Sequence, residues 1–149
     1  MKKGFIFIMF TFLIMSLAAC AQAEDETPQF LDVKLTINPE HAEKGQKVVF
    51  EAKVTYGEEE VTDADEVSFE IWRANDENHE KIKVEHKEYG VYALERTFDM
   101  DGTYYVYAHV NARSMHNMPK KEFVVGIASE KEEDSSSSRM EDEEDHTGH

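Results

Sequence analysis

Disulfide chemistry is almost absent from this sequence, which contains a single cysteine in 149 residues. One cysteine cannot form an intrachain disulfide, so the burial of apolar side chains must stabilise any exported domain that forms here. The length is sufficient for one ordinary domain.

Basic side chains are also scarce relative to acidic ones. There are 16 lysines and arginines against 32 aspartates and glutamates, which gives a formal net charge of −16. No basic patch interrupts this excess, so nucleic acid is not an expected partner. An anionic membrane surface would repel the domain, and cations are the natural partners of such a field.

Catalytic motifs are missing as well. The sequence has no nucleophile elbow, no P-loop, no H-E-x-x-H motif and no glycine-rich nucleotide fingerprint. Carboxylates are abundant, but no spacing singles out an acid/base pair. We therefore expect a protein that is not an enzyme.

Only one long apolar run is present, "FIFIMFTFLIMSL" near the N-terminus. It is too short to span a membrane comfortably and is typical of a secretion signal. It ends in "LAAC", which matches a bacterial lipobox and predicts that Cys20 carries the lipid, such as palmitate, that anchors the chain outside the cell membrane. We predict a lipoprotein signal peptide over 1–19 and a tether over 20–29. The alternative is a plain cleaved signal, since the following "AQA" could also be cut.

The C-terminal end is polar and acidic. "SEKEEDSSSSRMEDEEDHTGH", residues 129–149, has a serine run and almost no apolar residue. Such a segment cannot bury enough surface to fold, so we predict a disordered acidic tail there and a folded domain over 30–128. Met140, His146 and His149 in this tail could bind metal weakly, although a solvated tail is the simpler interpretation.

The segment between tether and tail alternates apolar and polar residues with a period of two and shows no helical stripe. Short strands with turn signals between them favour an all-β fold, a seven-stranded antiparallel immunoglobulin-like β-sandwich. "Gly102-Thr103-Tyr104" before the sixth strand also resembles a tyrosine corner, in which the tyrosine hydroxyl bonds back to the backbone. The predicted strands cover 30–38, 47–56, 67–72, 81–87, 91–98, 103–112 and 122–127.

Histidines and methionines collect in "HVNARSMHNMP", where the sixth strand ends. In such a sandwich the loops after the second, fourth and sixth strands meet at one end. The loop expected over 114–119 would therefore meet the turn that holds His86. His109 points out of the core and joins only if that loop folds back over the sheet. The candidate metal ligands are His86, His109, Met115, His116 and Met118.

Copper fits these side chains better than zinc or calcium, because thioethers favour Cu(I) and imidazole suits copper in either oxidation state. Each residue also has a structural interpretation. His109 is then an exposed strand residue, His86 a turn residue and Met118 a plug at the end of the core. His41 and His79 fall at the opposite end of the predicted sandwich and are not expected to contribute.

Several of these features occur together: the lipobox with its short tether, "ADEVSFEIWRAND" from Ala64, and "DGTYYVYAHVNARSMHNMPKKEFVVG" from Asp101. In this combination the chain resembles the YtkA-like family of bacterial lipoproteins. The resemblance implies an immunoglobulin-like or FixH-like sandwich and an association with copper handling and cytochrome oxidase assembly. The positions that match the family's histidine–methionine pattern are His109, His116 and Met118, with His86 matching more loosely.

Two functions follow as hypotheses. The first is a membrane-anchored lipoprotein that binds copper and exchanges it with a membrane protein partner. The second is a metal-free protein-interaction module at the cell surface, which would use the aromatic residues Trp72, Tyr105 and Tyr107 on one sheet face as anchors. These aromatic residues would lose that role if a loop or a terminal segment covers them.

Overall fold

The computed structural model describes residues 28–133. The predicted signal peptide over 1–19, the lipidation site Cys20, most of the tether and the tail from residue 134 onward lie outside the described residues. Within 28–133, no helix has the length and apolar character needed to cross a membrane.

Eleven β-strands and no helix form the described part of the chain. The all-β prediction is confirmed, but the chain between 28 and 133 has more strands than the seven predicted. The strands are β1 (Leu31–Asn38), β2 (His41–Ala42), β3 (Lys47–Tyr56), β4 (Glu59–Glu60), β5 (Glu66–Arg73), β6 (Glu80–Val84), β7 (His86–Glu88), β8 (Val91–Thr97), β9 (Gly102–Ala112), β10 (Met115–Asn117) and β11 (Lys120–Val125).

The strands form two sheets. One has the order β1-β3-β8-β7 with β4 added to β3, and the other has the order β2-β11-β9-β5-β6 with β10 added to β9. We call them the five-stranded and the six-stranded sheet. Among the described residues, every pairing is antiparallel except that of β2 with β11. The chain changes sheets between β6, which pairs with β5, and β7, which pairs with β8, and this divides the strand predicted over 81–87.

Alternation along the strands places one face of each sheet in a shared core. Residues of β1 are buried and exposed in strict alternation. Phe50, Phe69 and Phe123, which come from both sheets, are fully buried. The ring centroid of Phe50 lies 6.1 Å from that of Phe69 and 5.2 Å from that of Phe123. Full burial of one such side chain stabilises the fold by roughly 1.5–3 kcal/mol.

The predicted tyrosine corner is present. The Tyr104 hydroxyl donates to the backbone carbonyl of Met100 at 2.9 Å. Its ring stacks on Phe123 with 5.3 Å between centroids. The hydrogen bond closes the turn before β9 and fixes where that strand begins.

A two-residue turn joins β9 to β10. Arg113 and Ser114 have φ values of 53° and 59°, the left-handed conformation that a tight hairpin turn requires at both central residues. β10 and β11 then pair with β9 in one continuous register. The loop predicted over 114–119 is therefore wrong, because most of that stretch continues the hairpin.

Residues 129–133, the covering segment, lie against the six-stranded sheet after β11. The Thr103 side chain donates to the Ser129 carbonyl at 2.9 Å, and the Thr103 N–H donates to the Ser129 hydroxyl at 3.0 Å. The Glu132 N–H donates to the Tyr105 hydroxyl at 3.1 Å. The first five residues of the predicted tail are thus bound to the domain.

Along most of its length, β11 is an edge strand of the six-stranded sheet. β2 pairs only with Val124 and Val125. The stretch Lys120–Phe123 has no strand on that side among residues 28–133. Lys121 forms an ion pair with Glu40 there, with 3.6 Å between the charged atoms.

Candidate metal-binding site

The outer face of the six-stranded sheet, which points away from the core, brings His109 and His116 together. His109 lies on β9 between Ala108 and Val110, whose side chains are buried in the core. His116 lies on β10, opposite Asn111 of β9. The ring centroids of the two histidines are 5.9 Å apart. A hairpin, rather than the expected folded-back loop, produces this proximity.

The two methionines of the hairpin occupy different faces. The continuous register of β10 and β11 places Met118 opposite His109, on the outer face. Its side chain is 41% exposed, so Met118 does not plug the core. Met115 pairs with Ala112, which is buried in the core, and alternation turns it away from His116. The register therefore places Met118 on the same face as the two histidines and Met115 on the other face.

His86 belongs to the five-stranded sheet. It lies on β7, where its ring packs edge-on against Tyr92 with 5.3 Å between centroids. Its Nε2 accepts the backbone N–H of Gly90 at 3.1 Å. The prediction that His86 shares a site with His109 is wrong, because the change of sheets between β6 and β7 carries it to the other layer. It acts as a turn residue.

Glu70 on β5 connects two histidines on the outer face. Its Oε2 lies 2.6 Å from His109 Nε2, and its Oε1 lies 2.7 Å from His79 Nδ1. The hydrogen bond with His79, and next that with His109, hold the pKa of Glu70 below its ordinary value against the opposing effect of burial. His79 directly precedes β6, at the end of β5 away from the β9–β10 turn as predicted, and it contacts the outer face through Glu70.

These hydrogen bonds assign the protons on the imidazoles. An ionised carboxylate only accepts hydrogen bonds, so His109 donates from Nε2 and His79 donates from Nδ1. His116 Nδ1 lies 2.6 Å from the carbonyl-type oxygen Oδ1 of Asn111, so it is also a donor. When these rings are neutral, the lone pairs of His109 Nδ1 and His116 Nε2 remain for a ligand.

An aromatic cluster lies farther along the same face. Trp72 stacks on His79 with 4.3 Å between centroids and on Tyr107 with 5.3 Å. The Trp72 Nε1–H donates to Glu132 Oε1 of the covering segment at 2.9 Å. Trp72 and Tyr105 are 4% and 6% exposed. The interaction-module hypothesis needs these aromatic residues at the surface, and a terminal segment covers them.

The side chains present fit a metal with soft ligands. No three histidine, cysteine, aspartate or glutamate side chains in 28–133 are arranged to hold a metal ion. A site here therefore depends on Met118, which shares the outer face with His109 and His116, and thioether with imidazole is a donor set that suits copper. Ser68 pairs directly with His109, and its buried hydroxyl has no hydrogen-bond partner among the described residues. Such an atom commonly contacts a water or an ion, which is consistent with a bound group.

Comparison with known sequences decides the family. The sequence model of the YtkA-like family matches residues 25–109. The chain belongs to the YtkA-like family. The YtkA-like match runs from before β1 to His109 and includes Glu70, but it ends before His116 and Met118. The resemblance stated from the sequence is confirmed, and no curated protein matches the chain.

Solved structures that match part of the backbone belong to proteins of several kinds. The DNA glycosylase AlkC of Pseudomonas fluorescens, bound to DNA with an abasic site analog, has a TM-score of 0.46 and 11% identity, covering 64% of this chain and 30% of its own. A β-glucosidase of Listeria innocua in complex with glucose has a TM-score of 0.43 and 11% identity, covering 68% and 17%. The CARDB domain of a Pyrococcus furiosus protein in complex with di-metal ions has a TM-score of 0.43 and 16% identity, covering 66% and 89%. None of the three supports an argument about this chain's activity.

Proposed function

We propose that this YtkA-like protein is a lipoprotein anchored outside the cell membrane, not an enzyme, that binds copper through His109, His116 and Met118. The observation that carries the proposal is the 5.9 Å separation of the two imidazole rings on one exposed hairpin face. In this role the protein serves copper handling or cytochrome oxidase assembly and exchanges the metal with a membrane protein partner. Cys20 carries the anchoring lipid.

The donor atoms suit a metal that is transferred between proteins. Imidazole nitrogen binds copper in both oxidation states, and thioether sulfur adds preference for Cu(I). Each histidine already directs one ring nitrogen to an oxygen acceptor, Glu70 for His109 and Asn111 for His116. Metal-binding histidines are commonly oriented in this way. His116 and Met118 are exposed, which leaves the metal accessible to an incoming ligand.

Copper titration of the full chain in detergent micelles tests this site. Cu(I) affinity is measured by competition with a chromophoric chelator for the wild type and for His116→Ala/Met118→Ala. We expect the double variant to bind Cu(I) much more weakly than the wild type, since it keeps only one of the three ligands. His86→Ala is the matched control, because it removes a histidine from the other sheet, and its affinity should equal that of the wild type. Equal uptake by the wild type and the double variant would eliminate the hairpin site.

A further inference from the structure

The side chain of Glu70 is held at both of its oxygens. One oxygen lies 2.6 Å from His109 Nε2 and the other lies 2.7 Å from His79 Nδ1. The side chains of Glu70 and His109 are only 23% and 14% exposed, so water competes weakly for these contacts. This arrangement joins β5 to β9 at the position where the candidate copper ligand lies.

We propose that Glu70 is the positioning residue of the copper site, holding His109 in the Nε2–H form so that Nδ1 is the atom offered to the metal. This inference rests on the proposed function, since it specifies how one of the proposed ligands is presented. His109 then binds through Nδ1 and His116 through Nε2.

The hydrogen bond is needed because an imidazole ring alone has no fixed orientation. Rotation about the bond that joins the ring to Cβ has broad, roughly two-fold minima, so the ring can turn over and exchange its two nitrogens. A neutral histidine can also carry its proton on either nitrogen. The Glu70 carboxylate accepts only from a protonated nitrogen and therefore selects one tautomer and one ring orientation together.

His79 and Trp72 hold Glu70 in place from the other side. The His79 ring lies parallel to Trp72, with 4.3 Å between centroids and 9° between planes. Trp72 is itself bound through Nε1 to Glu132 of the covering segment at 2.9 Å. A carboxylate bonded on both sides cannot swing away from His109 without breaking a second contact.

The tautomer is measured first, without metal. Long-range ¹H–¹⁵N spectra of the full chain in micelles at alkaline pH show which ring nitrogen of His109 carries the proton. We expect Nε2–H alone in the wild type and a mixture of both forms in Glu70→Gln. Glu95→Gln is the control, because Glu95 is an ion-paired carboxylate on the five-stranded sheet, 2.9 Å from Lys47. An unchanged His109 tautomer in Glu70→Gln overturns the proposal.

Copper affinity is then measured on the same proteins. We expect Glu70→Gln to bind Cu(I) about tenfold more weakly than the wild type, the usual effect of losing an orienting partner, and Glu95→Gln to bind as the wild type does. If the wild type binds no copper, the proposed function fails and the role of Glu70 fails with it. If the wild type binds copper and Glu70→Gln binds it equally, only the positioning role fails.

A second variant keeps the proposal testable if Glu70→Gln does not fold. His79→Phe keeps an aromatic ring to stack on Trp72 but removes the hydrogen bond to Glu70. We expect a partial shift of the His109 tautomer and a smaller loss of copper affinity than in Glu70→Gln. A wild-type tautomer together with wild-type affinity in His79→Phe would contradict the support assigned to His79.

Discussion

Tyr92 shows how one polar atom is accommodated inside this sandwich. Its side chain is 3% exposed, and its hydroxyl donates to the Val61 carbonyl at 3.2 Å and accepts the Ala64 N–H at 3.0 Å. The two bonds tie the segment between β4 and β5 to β8. That segment has little other regular pairing, so its position depends strongly on this hydroxyl.

Replacing Tyr92 by Phe should reduce the free energy of unfolding by about 1–2 kcal/mol at neutral pH, because two hydrogen bonds are lost while the ring still fills its place. Urea denaturation followed by circular dichroism measures the change. Tyr89→Phe, at a residue that is 69% exposed, is the control and should be neutral. A Tyr92→Phe protein as stable as the wild type would contradict this account.

The same substitution should show a dependence on alkaline pH. Burial raises the pKa of Tyr92 above its ordinary value of 10.0, so the unfolded chain loses its phenol proton first as the pH rises. The stability that the neutral phenol contributes is therefore complete below about pH 10 and declines above it. The difference in unfolding free energy between wild type and Tyr92→Phe should shrink over that range.

At this scale, the sequence predicts contacts that are local and misses those that depend on strand register. The Tyr104 corner was predictable because its hydroxyl reaches a residue only four positions earlier. The contact between Glu70 and His109 spans 39 positions and exists only because β5 pairs with β9 in one particular register. Alternation alone placed both side chains outward and gave no reason to join them.

Among the elements, the β9–β10 hairpin matters most for the site. Its turn residues, Arg113 and Ser114, lack the Asn-Gly pattern that marks such turns in a sequence. Pro119 also suggested a loop. Because proline has no N–H, Pro119 cannot donate a hydrogen bond to Ala108. Only the other bond of the pair forms, from the Ala108 N–H to the Pro119 carbonyl at 3.1 Å. The register nevertheless continues past the proline, which keeps Met118 beside His109.

Ser114→Gly should stabilise the protein by about 0.5–1 kcal/mol. Serine is held at a φ of 59°, and glycine relieves the left-handed strain at the cost of extra freedom in the unfolded chain. Thermal unfolding measures the gain. Ser114→Ala retains the strain and should bring no gain. A lower melting temperature for Ser114→Gly than for Ser114→Ala would show that the turn is not under this strain.

Across the whole molecule, hydrophobic periodicity predicted the all-β class and the extent of the core, since it depends on which side chains are buried. It could not show the change of sheets between β6 and β7, because alternation continues through 81–87 whichever sheet the strand joins. Composition likewise could not show that 129–133 bind the domain. Ser129 and Glu132 do so through polar contacts, which leave no apolar signal.

The fluorescence of Trp72 reports whether the covering segment is bound to the domain. Trp72 is the only tryptophan, and Glu132 accepts from both its Nε1–H and the Asn75 N–H. Glu132→Ala should loosen the segment, lower stability by about 1 kcal/mol and expose the indole. Its emission should move to longer wavelength, with stronger acrylamide quenching. Glu133→Ala, at the next and exposed position, should leave both signals unchanged. Identical spectra for Glu132→Ala and the wild type would show that the segment does not protect Trp72.

The unpaired edge of β11 affects whether copies of this chain aggregate at high concentration. A strand edge with unpaired backbone N–H and C=O groups can pair with a strand of a second molecule, which is the first step toward fibrils. Here Lys120 and Lys121 lie side by side on that edge. Charged side chains, lysine above all, are a usual safeguard against such pairing. The edge therefore disfavours amyloid-like growth where many copies gather.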